Sequence, residues 1–258
     1  MKIVVAIPVY DGKLHANVIS CLLTEHSMAI GLGDDLVVEF LPNCSVPAMG
    51  RNQLVQGFMD SGFDRLVFLD SDITFNPGDL IKLCYRPVDI VGGAYRFKLP
   101  MESYPVGWIP DQNELWLDKN GLLEVASLPT GFLCISRKAF ELLKEKYPGR
   151  EFTHMGKTMN CYFQMKFENG GLYSEDSYFC KEWRDIGGKV FMDPDIELTH
   201  WDFAPVPFKG NIGKWLKDRP DTSDRVQELM LEKLQKQNTE MLSVINQKEI
   251  ENAKSCLS

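Results

Sequence analysis

Phe63-Asp64-Arg65-Leu66-Val67-Phe68-Leu69-Asp70-Ser71-Asp72 is the stretch that decides the fold of this chain. Its short apolar run, bounded by polar residues, reads as a buried parallel strand. Two carboxylates one residue apart follow at the strand's carboxyl end, where open α/β sheets bind ligands. On an extended backbone residues i and i+2 point the same way. Asp70 and Asp72, with Ser71 between them, are therefore expected to face one hard cation. Oxygen ligands with spare positions suit Mg²⁺ or Mn²⁺ carrying a diphosphate. Asp and Ser also form turns, so the tripeptide alone suits a plain turn equally.

Working outward, a strand over Lys2–Ile7 ends at Pro8, and a helix from about Leu14 to Ile30 closes at Gly31-Leu32-Gly33. Asp35 to Leu41 reads as a second strand, Arg51 to about Met59 as a helix, and Asp79 to Tyr85 as a helix started by Asn76-Pro77-Gly78. Asp89 to Gly93 reads as a further strand. This alternation predicts a parallel sheet with right-handed crossovers. Beyond Leu99, the prolines and the turn Asp118-Lys119-Asn120-Gly121 indicate hairpins and loops. A strand is expected over Val125–Leu133, a helix over Ser136–Tyr147, and an irregular aromatic stretch over Gly149–Leu172. Ser174 opens a helix to about Asp185, and Lys189–Met192 is the next strand.

From about Arg219 the composition changes. Thr222 to Ala253 lacks Gly and Pro and carries Val226, Met230, Leu234, Met241 and Ile245, the stripe of an amphipathic helix or pair of helices. The expected fold is therefore α/β, a Rossmann-like, mostly parallel central sheet flanked by helices over 1–218, with a C-terminal helical extension over 219–258. Self-association or intramolecular packing through that extension is expected, giving a homo-oligomer in the first case.

The net charge of −8 provides no global attraction to nucleic acid or anionic membrane. The apolar stretch near the N-terminus is shorter than a signal-peptide core, and no stretch approaches a membrane span. Seven scattered cysteines without a C-x-x-C pair fit reduced thiols. The expected location is cytoplasmic.

Four further features bear on the site. Pro8-Val9-Tyr10 places an aromatic ring at the end of the first strand, suited to a nucleobase. Arg51-Asn52, read as the start of the second helix, suits phosphate or a base carbonyl. Ser174-Glu175-Asp176 opens a helix with an N-cap and two acids that match its dipole. Thr199-His200-Trp201 supplies an imidazole, a good Mn²⁺ ligand, after a strand expected to return to the middle of the sheet.

With Val91-Gly92-Gly93-Ala94-Tyr95 and Thr130-Gly131-Phe132-Leu133, these elements resemble, in order and spacing over about residues 1–205, the GT-A glycosyltransferases near the large inverting family 2 type. The resemblance implies a metal-dependent enzyme that moves a sugar from a nucleotide-diphosphate donor, a UDP-sugar, to an acceptor hydroxyl. It implies that Pro8 and Tyr10 border the nucleobase and that Arg51 sits by the base or diphosphate. Asp70 and Ser71 would lie near ribose and sugar, and Gly131 would floor the pocket. Asp72 and His200, with Asp70 beside them, would hold Mn²⁺ or Mg²⁺. Asp176 would be the catalytic base and Glu175 an acceptor-binding neighbour. Where the family carries an Asp-rich turn after strand two, this chain reads Leu41-Pro42-Asn43-Cys44-Ser45, which leaves the choice between UDP and GDP open.

The expected acceptor is a glycan or another hydroxyl, a modified DNA base included. The aromatic segment Phe152–Tyr173, with Trp108 and Trp116, is the candidate surface for stacking on it. Two other classes stay open: a nucleotidyltransferase that forms sugar nucleotides, and a non-catalytic nucleotide- or carbohydrate-binding module. The first normally has a Gly-rich loop after strand one, where this chain has Pro8-Val9-Tyr10-Asp11-Gly12-Lys13.

Overall fold

A computed structural model describes residues 1–110, 115–168, 170–202 and 207–218. The chain opens with β1 (Lys2–Val9), α1 (Ala16–Leu32), β2 (Asp35–Pro42), α2 (Pro47–Asp60) and β3 (Arg65–Leu69). β1 pairs in parallel with β2 on one side and β3 on the other, as the alternation predicts. β4 (Ile73–Phe75), α3 (Asp79–Tyr85), β5 (Ile90–Gly92), β6 (Leu123–Val125), β7 (Phe132–Ser136) and α4 (Arg137–Lys146) follow. Two antiparallel hairpins come next, β8 (Glu151–His154) with β9 (Lys157–Asn160) and β10 (Lys166–Glu168) with β11 (Gly171–Tyr173). The described chain closes with α5 (Glu175–Asp185), β12 (Val190–Met192), β13 (Leu198–His200), β14 (Phe208–Gly210) and α6 (Ile212–Asp218).

The fold is α/β, around a seven-stranded mixed sheet in the order β2-β1-β3-β7-β5-β12-β6. β7 runs antiparallel between β3 and β5. The reason is local: β5 ends at Gly92, directly opposite Leu133, and Gly93 N–H donates to Phe132 O. Among the described residues between β5 and β7 there is no helix, and after β6 the chain returns down the position beside β5. Val125–Leu133, expected as one strand, is split between β6, an antiparallel partner of β12, and β7. The stretch over Gly149–Leu172, expected to be irregular, contains the β8–β9 hairpin and most of the β10–β11 hairpin. The strand that precedes His200, β12, does return to the main sheet, between β5 and β6, whereas His200 itself lies on β13. β13 belongs to a separate three-stranded sheet, β14-β13-β4.

Ile3 to Ile7 of β1 and Leu66 to Leu69 of β3 are buried on both faces, the pattern of central strands covered by helices. α1 buries Val18, Leu22 and Ala29 at helical spacing, and Glu25 with them. Glu25 is fully buried, and its carboxylate accepts the backbone N–H groups of Gly78 and Ile81 at the start of α3. α3 has no capping side chain of its own, so α1 caps it from outside. The aromatic segment contributes Tyr162 and Phe163 to the core, where Phe163 packs on Phe68 and Phe179. Asn52 on α2 fastens them there, accepting Tyr162 N–H and Phe163 N–H at 2.9 Å each. These two rings are packing groups, in contrast to the stacking surface expected of their segment. Phe167 and Trp116 are the exposed ones.

Met1–Lys214 forms one compact unit and Trp215–Ser258 a second. The expected helical extension over 219–258 and its apolar stripe lie outside the described residues. Among the described residues no helix is long and apolar enough to cross a membrane, and the six described cysteines are free thiols.

Burial raises the Glu25 carboxyl above its ordinary range, against the pull of the two N–H groups it accepts. A raised folded value means stability that is complete below the ordinary carboxyl range and is lost as pH climbs through the raised one. Chemical denaturation as a function of pH should show this loss in the native chain and not in Glu25→Gln. Glu25→Ala should cost about 2 kcal/mol or more at neutral pH, because two buried N–H groups lose their acceptor.

Candidate functional site

The site forms where β3 runs out. Asp70 N–H donates to Gly131 O at 3.0 Å, and Ile73 N–H donates to Asp70 O at 3.2 Å, closing a turn over Asp70–Ile73. The two aspartates therefore do not share an extended backbone, contrary to the i, i+2 expectation, and the turn separates their partners. Immediately after it, β4 pairs antiparallel with β13, His200 opposite Ile73, and Trp201 N–H continues the ladder to Asp72 O at 2.8 Å. A main-chain ladder thus delivers His200 beside Asp72.

Asp72 Oδ2 lies 2.7 Å from Lys98 Nζ and 3.5 Å from His200 Nε2. The other imidazole nitrogen, Nδ1, lies 2.9 Å from Arg96 O. That backbone carbonyl can only accept, so Nδ1 carries a proton and Nε2 is the nitrogen turned toward Asp72, the arrangement usual behind a metal-bound histidine. Tyr95 meets the imidazole edge-on, with ring centroids 4.9 Å apart. Burial pushes the Asp72 carboxyl up, but hydrogen bonds from His200 and Lys98 outweigh it and hold the group below its usual range. Asp72 is therefore an ionised, hard oxygen donor beside an imidazole nitrogen. Among the described residues no three or more His, Cys, Asp or Glu side chains gather as a metal cluster; an ion held by Asp72 and His200 would need the rest of its shell from ligand or water.

Asp70 faces a different cation. Arg51, only 7% exposed, reaches Asp70 Oδ1 at 3.5 Å with one terminal nitrogen and Glu175 Oε1 at 2.5 Å with the other. α2 begins at Pro47, which sits at the first helical position where its missing N–H costs nothing. Arg51 is consequently in the second turn and not at the helix N-terminus as expected. It acts through its guanidinium, which joins α2 to the start of α5. Burial raises the Asp70 carboxyl, Arg51 opposes that, and Asp72 adds to it. The nearby Tyr95 phenol is pushed well up by burial and by the Asp70 charge.

Gly131 faces this pair at close range. A Cβ there would lie 2.5 Å from Tyr95 Cε1 and 2.6 Å from Asp70 Oδ2, so no larger residue fits without moving one of them.

A cleft of about 380 Å³ opens over the turn, lined by Tyr10, Lys13, Ser71, Asp72, Lys98 and Trp201 among others. Tyr10 stands at its wall 72% exposed, and Pro8 is half-buried in β1. Trp201 stacks on His15 with centroids 4.3 Å apart, and its indole N–H donates to Thr74 Oγ1. Asp70, Arg51, Glu175 and Gly131 are not among its lining residues. Ser174 precedes α5 but its hydroxyl does not cap the backbone; it donates to Asp176 Oδ1, which also accepts Ser177 N–H at 2.7 Å. Asp176 thus closes the first turn itself and touches neither aspartate of the turn, although its charge reaches Asp70 and Tyr95. Lys98 and the His15–Trp201 stack escaped the sequence reading. Lys98 sits in a loop with no periodicity, and only its contact with Asp72 identifies it.

Compared by sequence, this chain matches no protein-family model and no curated protein.

Gly131→Ala should cost about 1–3 kcal/mol by overpacking and should displace Asp70 or Tyr95. A lowered melting temperature is the expected outcome. An alanine variant with native melting would show that the cradle is not tight.

Proposed function

We propose that this protein is a divalent-cation-dependent GT-A glycosyltransferase, moving a sugar from a nucleoside-diphosphate donor to an acceptor hydroxyl with inversion. The observation that carries this reading is the Asp72–His200 pair, 3.5 Å apart with Nδ1 of the imidazole committed to a backbone carbonyl. It stands at the carboxyl end of β3 in a cleft that also presents Tyr10. The donor set, one ionised carboxylate oxygen and one imidazole nitrogen, fits Mn²⁺ and, less selectively, Mg²⁺. When bound, the ion supplies Lewis-acid stabilisation to the leaving diphosphate.

The chain's own residues do the rest. Tyr10 would lie against a base, and Lys13 and Lys98, paired with Asp11 and Asp72, are cations of the same cleft. Asp70, held by Arg51 and by the Gly131 carbonyl, is the acceptor for ribose or sugar hydroxyls. Arg51 also fixes Glu175, so its role is to hold two acids in place rather than to bind the base directly. Asp176, in the first turn of α5, is the base that takes the proton of the attacking hydroxyl. Its place at a helix N-terminus favours the carboxylate form.

A panel of UDP- and GDP-sugars tests the proposal. Mn²⁺-dependent release of the nucleoside diphosphate is expected, lost in chelator and in Asp72→Ala, with His200→Ala weakening metal-dependent nucleotide binding. Asp176→Asn should lower kcat about 10²–10⁴-fold with donor binding near native. Full turnover in excess chelator, or a product with retained anomeric configuration, would sink the metal and the base assignments respectively. Lys13 in the β1–α1 loop also fits the sugar-nucleotide-forming alternative, which would instead release pyrophosphate from a nucleoside triphosphate.

A further inference from the structure

Asp72 Oδ2 is contested. Lys98 Nζ sits 2.7 Å from it and His200 Nε2 3.5 Å from it. The oxygen that pairs with the imidazole is thus the one the lysine already holds. Both partners are partly open to the cleft, with Lys98 30% and Asp72 35% exposed. The backbone that carries Lys98 is anchored on several sides. Arg96 O meets His200 Nδ1, the Arg96 guanidinium donates to Leu99 O and Pro100 O, and Phe97 N–H donates to Ser103 O. Freedom of movement therefore belongs to the four-carbon Lys98 side chain and not to its loop. A divalent ion and an ammonium on one oxygen repel each other, so each weakens the other's hold on it. The same cleft holds a second cationic group, Lys13, so an anionic ligand there has somewhere to receive a displaced ammonium.

We propose that Lys98 is a built-in competitor for the cation position on Asp72, holding that carboxylate in the empty cleft and turning to the ligand's diphosphate when a divalent ion displaces it. The inference rests on the transferase reading of the cleft and adds a regulatory consequence to it. The ion alone binds weakly, because it must evict an ammonium. Ion and diphosphate then favour one another, since each relieves the other's competitor, and such coupling is reciprocal.

Titration of the full chain with Mn²⁺ alone, followed by the electron paramagnetic resonance signal of the free ion, reads the competition without any turnover. Lys98→Met should bind Mn²⁺ about five- to tenfold more tightly than the native chain, the scale of releasing one partly exposed ion pair. Lys98→Arg keeps the charge and should keep the weak native affinity. Asp72→Asn should remove binding in both the native and the Lys98→Met backgrounds. With Mn²⁺ saturating, inorganic pyrophosphate should raise the melting temperature of the native chain more than that of Lys98→Met. Lys98→Met that binds Mn²⁺ no more tightly overturns the competition, and equal pyrophosphate shifts overturn the transfer to diphosphate. Mn²⁺ binding that is absent from the native chain and Lys98→Met alike, or that survives Asp72→Asn, overturns the metal site of the transferase reading itself and the competition with it.

Discussion

The ladder between β4 and β13 is the constraint on which the site depends. Three residues on each side, Ile73 to Phe75 against Leu198 to His200, pair antiparallel, and Trp201 N–H extends the pairing to Asp72 O. Main-chain bonds carry no side-chain preference, but they set register, and a slip of one residue turns every side chain to the other face. His200 reaches Asp72 only in this register. The turn that precedes β4 is itself held by Gly131 O accepting Asp70 N–H, so the main sheet positions the small one.

Charge in the site is divided rather than pooled. Asp70 and Glu175 share the buried Arg51, and Asp72 takes Lys98. A buried cation between two acids calls for arginine, whose planar fork can meet both at once and does not lose its charge on burial. A single ion pair partly open to the cleft suits lysine, a point charge on a long stem. The opposite shifts of the two turn aspartates follow from this division. Burial dominates at Asp70, whereas donors dominate at Asp72. Removing Arg51 would leave two acids uncompensated together, which is far costlier than removing an exposed pair.

Much of the frame was legible from residues. The β1-α1-β2-α2-β3 alternation, the α3 start at Asn76-Pro77-Gly78 and the turn at Asp118–Gly121 all follow from periodicity and turn chemistry. What misled was short-range ambiguity. Val125 to Leu133 is apolar enough to read as one strand, yet six residues of turn separate β6 from β7. Arg51 looked like a helix start because Pro42 and Pro47 suggested a loop, whereas Pro47 is itself the first helical residue. Glu25 sits in an apolar stripe, and nothing in the local pattern shows that its partners are the N–H groups of another helix.

The sequence by itself determined which residues could carry chemistry: Asp70, Asp72, Glu175, Asp176 and His200 stand out by type, by spacing and by their places at strand and helix ends. It also determined the α/β class, because buried apolar runs alternating with helical stripes have few other solutions. Only the tertiary structure decided who meets whom. The turn at Asp70–Ile73 splits the two aspartates between Arg51 and His200, and Lys98 enters the site from a loop that no periodicity marks. The physical reason is that side-chain partners across strands depend on register and on turn geometry, both settled by long-range backbone hydrogen bonds that no local stretch of residues encodes.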